Sequence, residues 1–352
     1  MTTLISLAAR DFIVVGCDSL ATRTADLVYP GQLAHDFFDD AGLLKLDGDG
    51  KPLLKSTSQL WEKAENIPTD NLPSVTKLFH LEPYRACLLF AGATRIGETT
   101  IFNIVETFKL GLPKFGARLR GHRGKEEPYT MEFLAEKLKE HILTIYSHEF
   151  EHDYLKPSME IILSGYSEAF REPELWRLQF SYNRNDDKFS PVVGNTIPRK
   201  SYNVIFGGQS DVVQRVVNGI DQKSLFNIRL ACIKKLRDLF TEMQEQLNIA
   251  PSGMKLTEPN YWDDKYNLFA DDNAGVSGIL NDVGSLSEQA GIDLVHFLVS
   301  VMIQAQTFAS SIATVGGKIH IAILTKDAPF RWISEEAYTF EGKPIPKFHN
   351  HA

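Results

Sequence analysis

The chain is 352 residues long, enough for one large domain or two ordinary ones. Hydrophobic residues make up 43% and charged residues 23%, a globular composition that excludes a disordered or low-complexity chain. The net charge is −8, and no Lys/Arg-rich run is present of the kind that tracks a phosphate backbone, so no nucleic-acid partner is expected. The longest apolar stretches, such as Ala86 to Gly92 and Ile319 to Leu324, are strand-length and too short to cross a bilayer. With no basic-then-apolar secretory signal at the start, a cytoplasmic setting away from membranes is expected. Cys17, Cys87 and Cys232 are odd in number and two of them lie in apolar runs, which predicts buried free thiols rather than a disulfide.

In chain order, Thr3-Leu-Ile-Ser-Leu-Ala-Ala and Phe12-Ile-Val-Val-Gly-Cys read as two short strands around Arg10-Asp11. Residues 23–73 turn polar and Gly/Pro-bearing, with a hairpin expected from Leu43-Leu-Lys-Leu around Asp47-Gly-Asp-Gly to Pro52-Leu-Leu. Their apolar residues are too few for a core, which marks an insertion. Strands are predicted near Lys77–Leu81 and over Ala86–Ala91, then a helix over about Thr99–Leu110, a loop, and a helix over about Met131–Phe150 with an apolar stripe. Strands follow at Met159–Gly165, Leu175–Tyr182 and Tyr202–Phe206, and helices at about Asp211–Gly219 and Ser224–Leu247. Residues 249–286 read as a second insertion. A helix over about Ser287–Phe308, strands at Lys318–Thr325 and Arg331–Ile333, and a polar tail at 335–352 close the chain. Paired strands alternating with paired helices predict an α/β (α+β) fold, with largely antiparallel sheets and helices on their outer faces, in one domain over 1–352.

Two motifs match in letters and fail in setting. His148-Glu149-Phe-Glu-His152 fits H-E-x-x-H, yet Glu151 and Asp153 stand where a zinc helix is apolar, and Lys156-Pro157 ends the helix almost at once. A charged helix end is the better reading, and no metal is expected. Gly92-Ala-Thr-Arg-Ile-Gly97-Glu98-Thr99 has the outline of a phosphate loop, but Glu98 occupies the lysine position and would repel a nucleotide. Asp47-Gly-Asp-Gly lacks the carboxylates that open and close a calcium loop and reads as a turn. No cofactor is expected.

Thr2 follows the initiator methionine and is small enough to permit its removal, which would expose a hydroxyl and a free α-amine on one residue. A hydroxyl needs a base within hydrogen-bond reach, and the threonine's own amine can serve. An α-amine titrates at roughly 7.7–8.0. A nearby cation favours its neutral form, and a carboxylate is needed to hold that cation.

The residues around this point resemble a known family. Thr2-Thr-Leu-Ile-Ser-Leu, followed by Phe12-Ile-Val-Val-Gly-Cys-Asp18-Ser19-Leu-Ala-Thr22, is similar to the opening of proteasome β-subunits and of the bacterial peptidase HslV, with no gap needed. Ser74-Val-Thr-Lys77-Leu-Phe-His-Leu with Leu88-Leu-Phe-Ala-Gly92-Ala-Thr94 looks like that family's lysine strand and following turn, and Gly316-Gly-Lys-Ile-His-Ile-Ala-Ile-Leu-Thr-Lys-Asp like its last strand. The three stretches cover about a fifth of the chain, in the family's order. The resemblance implies a four-layer αββα sandwich of the N-terminal-nucleophile hydrolases. It implies Thr2 as nucleophile and base, Lys77 tuning it, Asp18 holding Lys77, and the Gly92 N–H stabilising the oxyanion. It also implies a homo-oligomeric ring acting on a peptide or other amide substrate, and an ATPase unfoldase partner by family analogy only.

Departures bear on activity rather than fold. Where the family has a serine in a G-S-G turn, Phe206-Gly207-Gly208-Gln209-Ser210 places glycine, with Ser210 two positions on. The family's late Asp/Ser pair falls near Ile312 and Val315 and is missing, Ser310 and Ser311 being the neighbouring hydroxyls. Besides a threonine peptidase, two readings therefore stay open: an amidohydrolase or acylase acting on a small amide, and an inactive ring-forming scaffold or regulatory subunit.

Overall fold

The structure, a computed structural model, describes residues 2–27, 38–39, 41–51, 65–72, 75–113, 119–120, 126–170, 172–183, 188–219, 282–309, 313–328, 330–334, 339–340 and 343–344, with scattered positions between 224 and 242. In chain order these give β1 (Thr3–Ala8), β2 (Phe12–Asp18), β3 (Ala21–Leu27), β4 (Glu65–Leu72), β5 (Leu78–His80), β6 (Ala86–Gly92), β7 (Arg95–Ile96), β8 (Thr99–Thr100) and α1 (Ile101–Gly111). Then come β9 (Leu119–Arg120), β10 (Glu126–Glu127), α2 (Met131–Glu149), β11 (Met159–Gly165), β12 (Glu174–Asn183), β13 (Lys188–Ile197), β14 (Asn203–Gly208) and α3 (Asp211–Asn218). The last are α4 (Glu288–Ala309), β15 (Ile319–Thr325), β16 (Arg331–Ser334), β17 (Thr339–Phe340) and β18 (Lys343–Pro344).

Two compact units form, Met1–Gln209 with Gly284–Ala352, and Ser210–Val283. The first contains two five-stranded sheets, ordered β14-β1-β2-β15-β16 and β13-β12-β11-β6-β5, with every neighbouring pair antiparallel.

Strand periodicity separates the layers. Along β6, Cys87, Leu89 and Ala91 join Leu4, Ile13, Val15 and Leu324 of the other sheet in a core between the sheets. The alternate residues Leu88 and Phe90 turn to the opposite face, where Ile104, Val105, Leu138 and Ile142 of α1 and α2 cover them. On β11, Ile162 and Ser164 face inward and Ile161 and Leu163 face the helices, and the Ser164 and Ser6 hydroxyls meet at 2.8 Å across the two sheets. α4 packs on β1, β2 and β15 at the other surface. It sits close there: a Cβ on Gly16 would come within 2.5 Å of Val295 Cγ1, and one on Gly291 within 2.6 Å of the Phe12 ring. Helix, sheet, sheet and helix form the expected αββα sandwich. α1 and α2 begin where Thr100 and Thr130 accept from the N–H of Asn103 and Phe133.

By length and composition alone, α4 is long and apolar enough to cross a membrane, unlike the strand-length apolar stretches elsewhere in the chain. In this unit its Val295, Leu298, Val299 and Met302 are buried.

The differences from expectation are local. The 23–73 segment starts and ends as a paired ladder, β3 with β4, from Ala21↔Leu72 to Leu27↔Glu65. The expected hairpin at Leu43–Leu46 is reduced to a single bridge, Phe38↔Leu44, beside a turn in which Asp47 Oδ1 accepts from the N–H of Asp49 and Lys51. β13, β7 and β8 are additional strands, and the polar tail carries the short β17–β18 pair. Residues 249–281 and most of the 224–247 helix lie outside the described residues. In the second unit, α3 ends on Gly219 in the left-handed region, φ 77°, and Ser210 Oγ accepts from Gln214 Nε2 at 2.9 Å.

Candidate active site

The β1–β2 register, Leu4 opposite Cys17, sets the N-terminal end of β1 beside the last residue of β2. Thr3 N–H therefore donates to Asp18 Oδ1 at 3.0 Å. Asp18 is fully buried, where a bare carboxylate would be costly, and four donors surround it. Besides Thr3, the N–H groups of Leu20 and Gly316 reach Oδ2 at 3.2 and 3.1 Å, and Lys77 Nζ reaches Oδ1 at 3.1 Å.

Lys77 is 2% exposed and precedes β5, its carbonyl accepting from Phe90 N–H at 3.0 Å so that its backbone is tied to β6. Its ammonium also donates to the Leu20 carbonyl. Burial pulls the Lys77 amine below its ordinary value, against the opposing pull of Asp18.

Thr2 is 3% exposed. Its carbonyl accepts from Gln209 N–H at 2.7 Å, while Thr3 Oγ1 donates to the Gln209 carbonyl at 2.7 Å. Gly208, φ 65°, lies so close that a Cβ there would stand 2.9 Å from the Thr2 carbonyl carbon and 3.2 Å from Ala91 Cβ. The end of β6 thus meets the start of β1. Gly92, the next residue, is exposed, adopts φ 91°, and would set a Cβ 2.5 Å from the Ser158 carbonyl oxygen. Glycine is required at 92 by the backbone, whatever its N–H does in chemistry.

Asp18 and Lys77 are thus brought into one buried pair against the start of β1, and Gly92 ends the strand whose Ala91 neighbours Thr2. Met1, Ser310, Ser311 and Ile312 lie outside the described residues. Val315 is buried, with Thr314 before it donating to Gln209 Oε1 at 2.6 Å. Gln209 and Gly316 lie in stretches already singled out, but their contacts to Thr2 and Asp18 were not foreseen, and Glu160, whose carboxylate takes Gly208 N–H at 2.7 Å, was missed. Glu160 did carry a signal, a lone charge in an apolar strand.

The two rejected motifs are resolved by their surroundings. α2 ends at Glu149, so His152 leaves the helix and stacks on Tyr154, and the two imidazoles share no helical face. The Glu149 carboxylate instead accepts from Glu98 N–H at 3.1 Å, which puts an anion against the Gly92–Thr99 loop.

Cys17 and Cys87 are buried free thiols, and Cys232 lies outside the described residues. Burial pushes Cys17 up to about 12, Lys77 lowering it and Asp18 raising it by less, and burial raises Cys87 as well. Both thiols hold their proton more tightly in the folded chain. The stability they contribute is complete below the ordinary value of 9.0 and is lost as pH rises from there toward about 12. Lys77, lowered, acts in the opposite sense, since its proton leaves the folded chain first and stability rises as pH climbs through its folded value toward 10.5. Two thiols outweigh one lysine. Each ionisation is worth about 1.4 kcal/mol per pH unit at full effect. Urea midpoints are expected to fall between pH 9 and 10, and Cys17→Ala/Cys87→Ala to flatten that fall; an unchanged slope would contradict it.

No family model matches the chain, and neither does any curated protein. Among solved structures it is similar to the Anbu (Gly-1) mutant from Hyphomicrobium sp. strain MC1, at 11% identity over 95% of this chain and 88% of that chain, with a TM-score of 0.40.

Proposed function

We propose that the chain is an N-terminal threonine hydrolase that cleaves peptide bonds through Thr2 once Met1 has been removed. The observation that carries the reading is the buried Asp18–Lys77 pair hydrogen-bonded to the N–H of Thr3, directly after the proposed nucleophile. The Thr2 hydroxyl oxygen attacks the substrate carbonyl carbon while the α-amine takes the hydroxyl proton. The oxyanion is stabilised by the Gly92 N–H. The C–N bond breaks as the amine returns its proton to the leaving nitrogen, which leaves an ester on Thr2. Water then attacks that ester with the amine again as base, and the acid and Thr2 are released. Lys77 keeps positive charge beside the amine and favours its neutral form, and Asp18 holds Lys77 in place. The protein works as a homo-oligomeric ring in this reading, which rests on the sequence resemblance.

Intact mass, then labelling with a threonine-directed epoxyketone, tests the proposal. A chain lacking Met1 is expected to take up one label, and Thr2→Ala to lose labelling by at least about a thousandfold. Retained Met1, or labelling that persists in Thr2→Ala, would sink it. Turnover of a peptide library against small amides separates a peptidase from an acylase.

A further inference from the structure

An N-terminal residue has no preceding peptide to orient it. Two main-chain contacts flank Thr2: its carbonyl accepts from Gln209 N–H, and the next N–H donates to Asp18. Whatever fixes residues 207–209, at the end of β14, therefore bears on the direction of the Thr2 hydroxyl and amine.

That end of β14 is fixed from the other sheet. β11 is buried along its length except at Glu160, which lies opposite Ala91 of β6 and Gln179 of β12. By the two-residue period Glu160 faces the same way as Ile162, into the space between the sheets. Its Oε2 accepts from Gly208 N–H at 2.7 Å, and its Oε1 lies 3.2 Å from Arg177 Nε. Arg177 in turn donates to the Phe206 carbonyl, so the ion pair holds β14 at two points. The carboxylate fits because residue 207 has no side chain: a Cβ on Gly207 would stand 3.1 Å from Glu160 Oε1. A hydrogen bond to an ionised acceptor is about twice as strong as a neutral one. The pair is also only partly exposed, 18% for Glu160 and 31% for Arg177.

We propose that Glu160, held by Arg177, is a positioning residue for Thr2: it clamps the Gly207-Gly208 end of β14 against the Thr2 carbonyl and so aligns the nucleophile. The inference rests on Thr2 being the nucleophile. It assigns Glu160 no proton transfer and no contact with substrate. Misplacing a reacting group by about an ångström can cost a hundredfold in rate, so the clamp is read in a rate constant.

The test is epoxyketone labelling of wild type, Glu160→Ala and Glu160→Gln, with Gly208 amide hydrogen exchange measured on the same proteins. Glu160→Ala is expected to reach the same one-per-chain stoichiometry about 30-fold more slowly, with the half-saturating concentration little changed. Glu160→Gln keeps an acceptor oxygen within reach of Gly208 N–H and is expected to recover part of the rate. Reduced stoichiometry at an unchanged rate constant would mean lost fold rather than lost alignment, and would overturn the inference, as would wild-type kinetics in Glu160→Ala. If the wild type takes no label, the Thr2 reading falls and exchange decides the rest. Faster exchange in Glu160→Ala keeps the clamp, and unchanged exchange removes it.

Discussion

Asp18→Ala is expected to leave little folded protein, whereas Lys77→Met leaves most of it folded. The two residues form one ion pair, yet the losses are unequal because the pair is asymmetric. Removing Asp18 strands a buried ammonium, and breaking a buried pair in this way costs about 3–5 kcal/mol. It also strips the acceptor from the N–H groups of Thr3, Leu20 and Gly316, each orphaned donor costing about 1–3 kcal/mol. Together these approach the whole stability of an ordinary domain, about 5–15 kcal/mol. Removing Lys77 leaves the Asp18 carboxylate with its three backbone donors, and methionine refills the volume of the lysine stem. The expected loss is then about 1–3 kcal/mol. Urea unfolding ranks the variants, and a Lys77→Met protein less stable than Asp18→Ala would contradict the account. Function should rank them differently. Lys77→Met, though folded, is expected to label at Thr2 at least about a hundredfold more slowly, since the charge proposed to favour the neutral amine is gone.

Thr2, Asp18 and Lys77 were singled out by the ordered resemblance of three separated stretches to proteasome β-subunits and HslV, since alone each reads as an ordinary terminal, turn or strand residue. β13 was not legible, since Pro191 and Gly194 weaken any strand signal and its pattern is that of a half-exposed edge strand. β7 and β8, two residues each, carry no period at all. Glu160 and Gln209 reach Gly208 and Thr3 only because β11 and β14 lie against β1, over separations of 48 residues from Glu160 to Gly208 and 206 from Thr3 to Gln209. No local pattern encodes such a meeting. His148 and His152 show the converse, a complete local pattern undone by where the helix ends.

Gly207→Ala and Gly208→Ala, one residue apart, are expected to differ sharply. At Gly207 a new Cβ meets Glu160 Oε1 and Ile162 Cδ1, both at 3.1 Å, and both are far ends of side chains that can move by a few tenths of an ångström. Overpacking of that kind costs about 1–3 kcal/mol, and here the lower end applies. The β14 end survives, and labelling at Thr2 slows by the amount that displacing Glu160 implies. At Gly208 two penalties coincide. Its φ of 65° lies in the left-handed region, which costs an L-residue about 1–2 kcal/mol. Its Cβ would also fall inside hard-sphere contact with the Thr2 carbonyl, a backbone group that cannot rotate aside, and 3.2 Å from Ala91 Cβ. Relief requires β14 to withdraw from β1, which breaks the Gln209 N–H bond to Thr2 and frees the residue proposed to be the nucleophile. The expected result for Gly208→Ala is a loss of about 3–5 kcal/mol, the scale of a severe core substitution. Labelling at Thr2 should vanish even in the fraction that folds. Urea midpoints and labelling on the same two proteins check both halves. Equal behaviour of Gly207→Ala and Gly208→Ala would show that the end of β14 does not bear on Thr2 as its geometry requires.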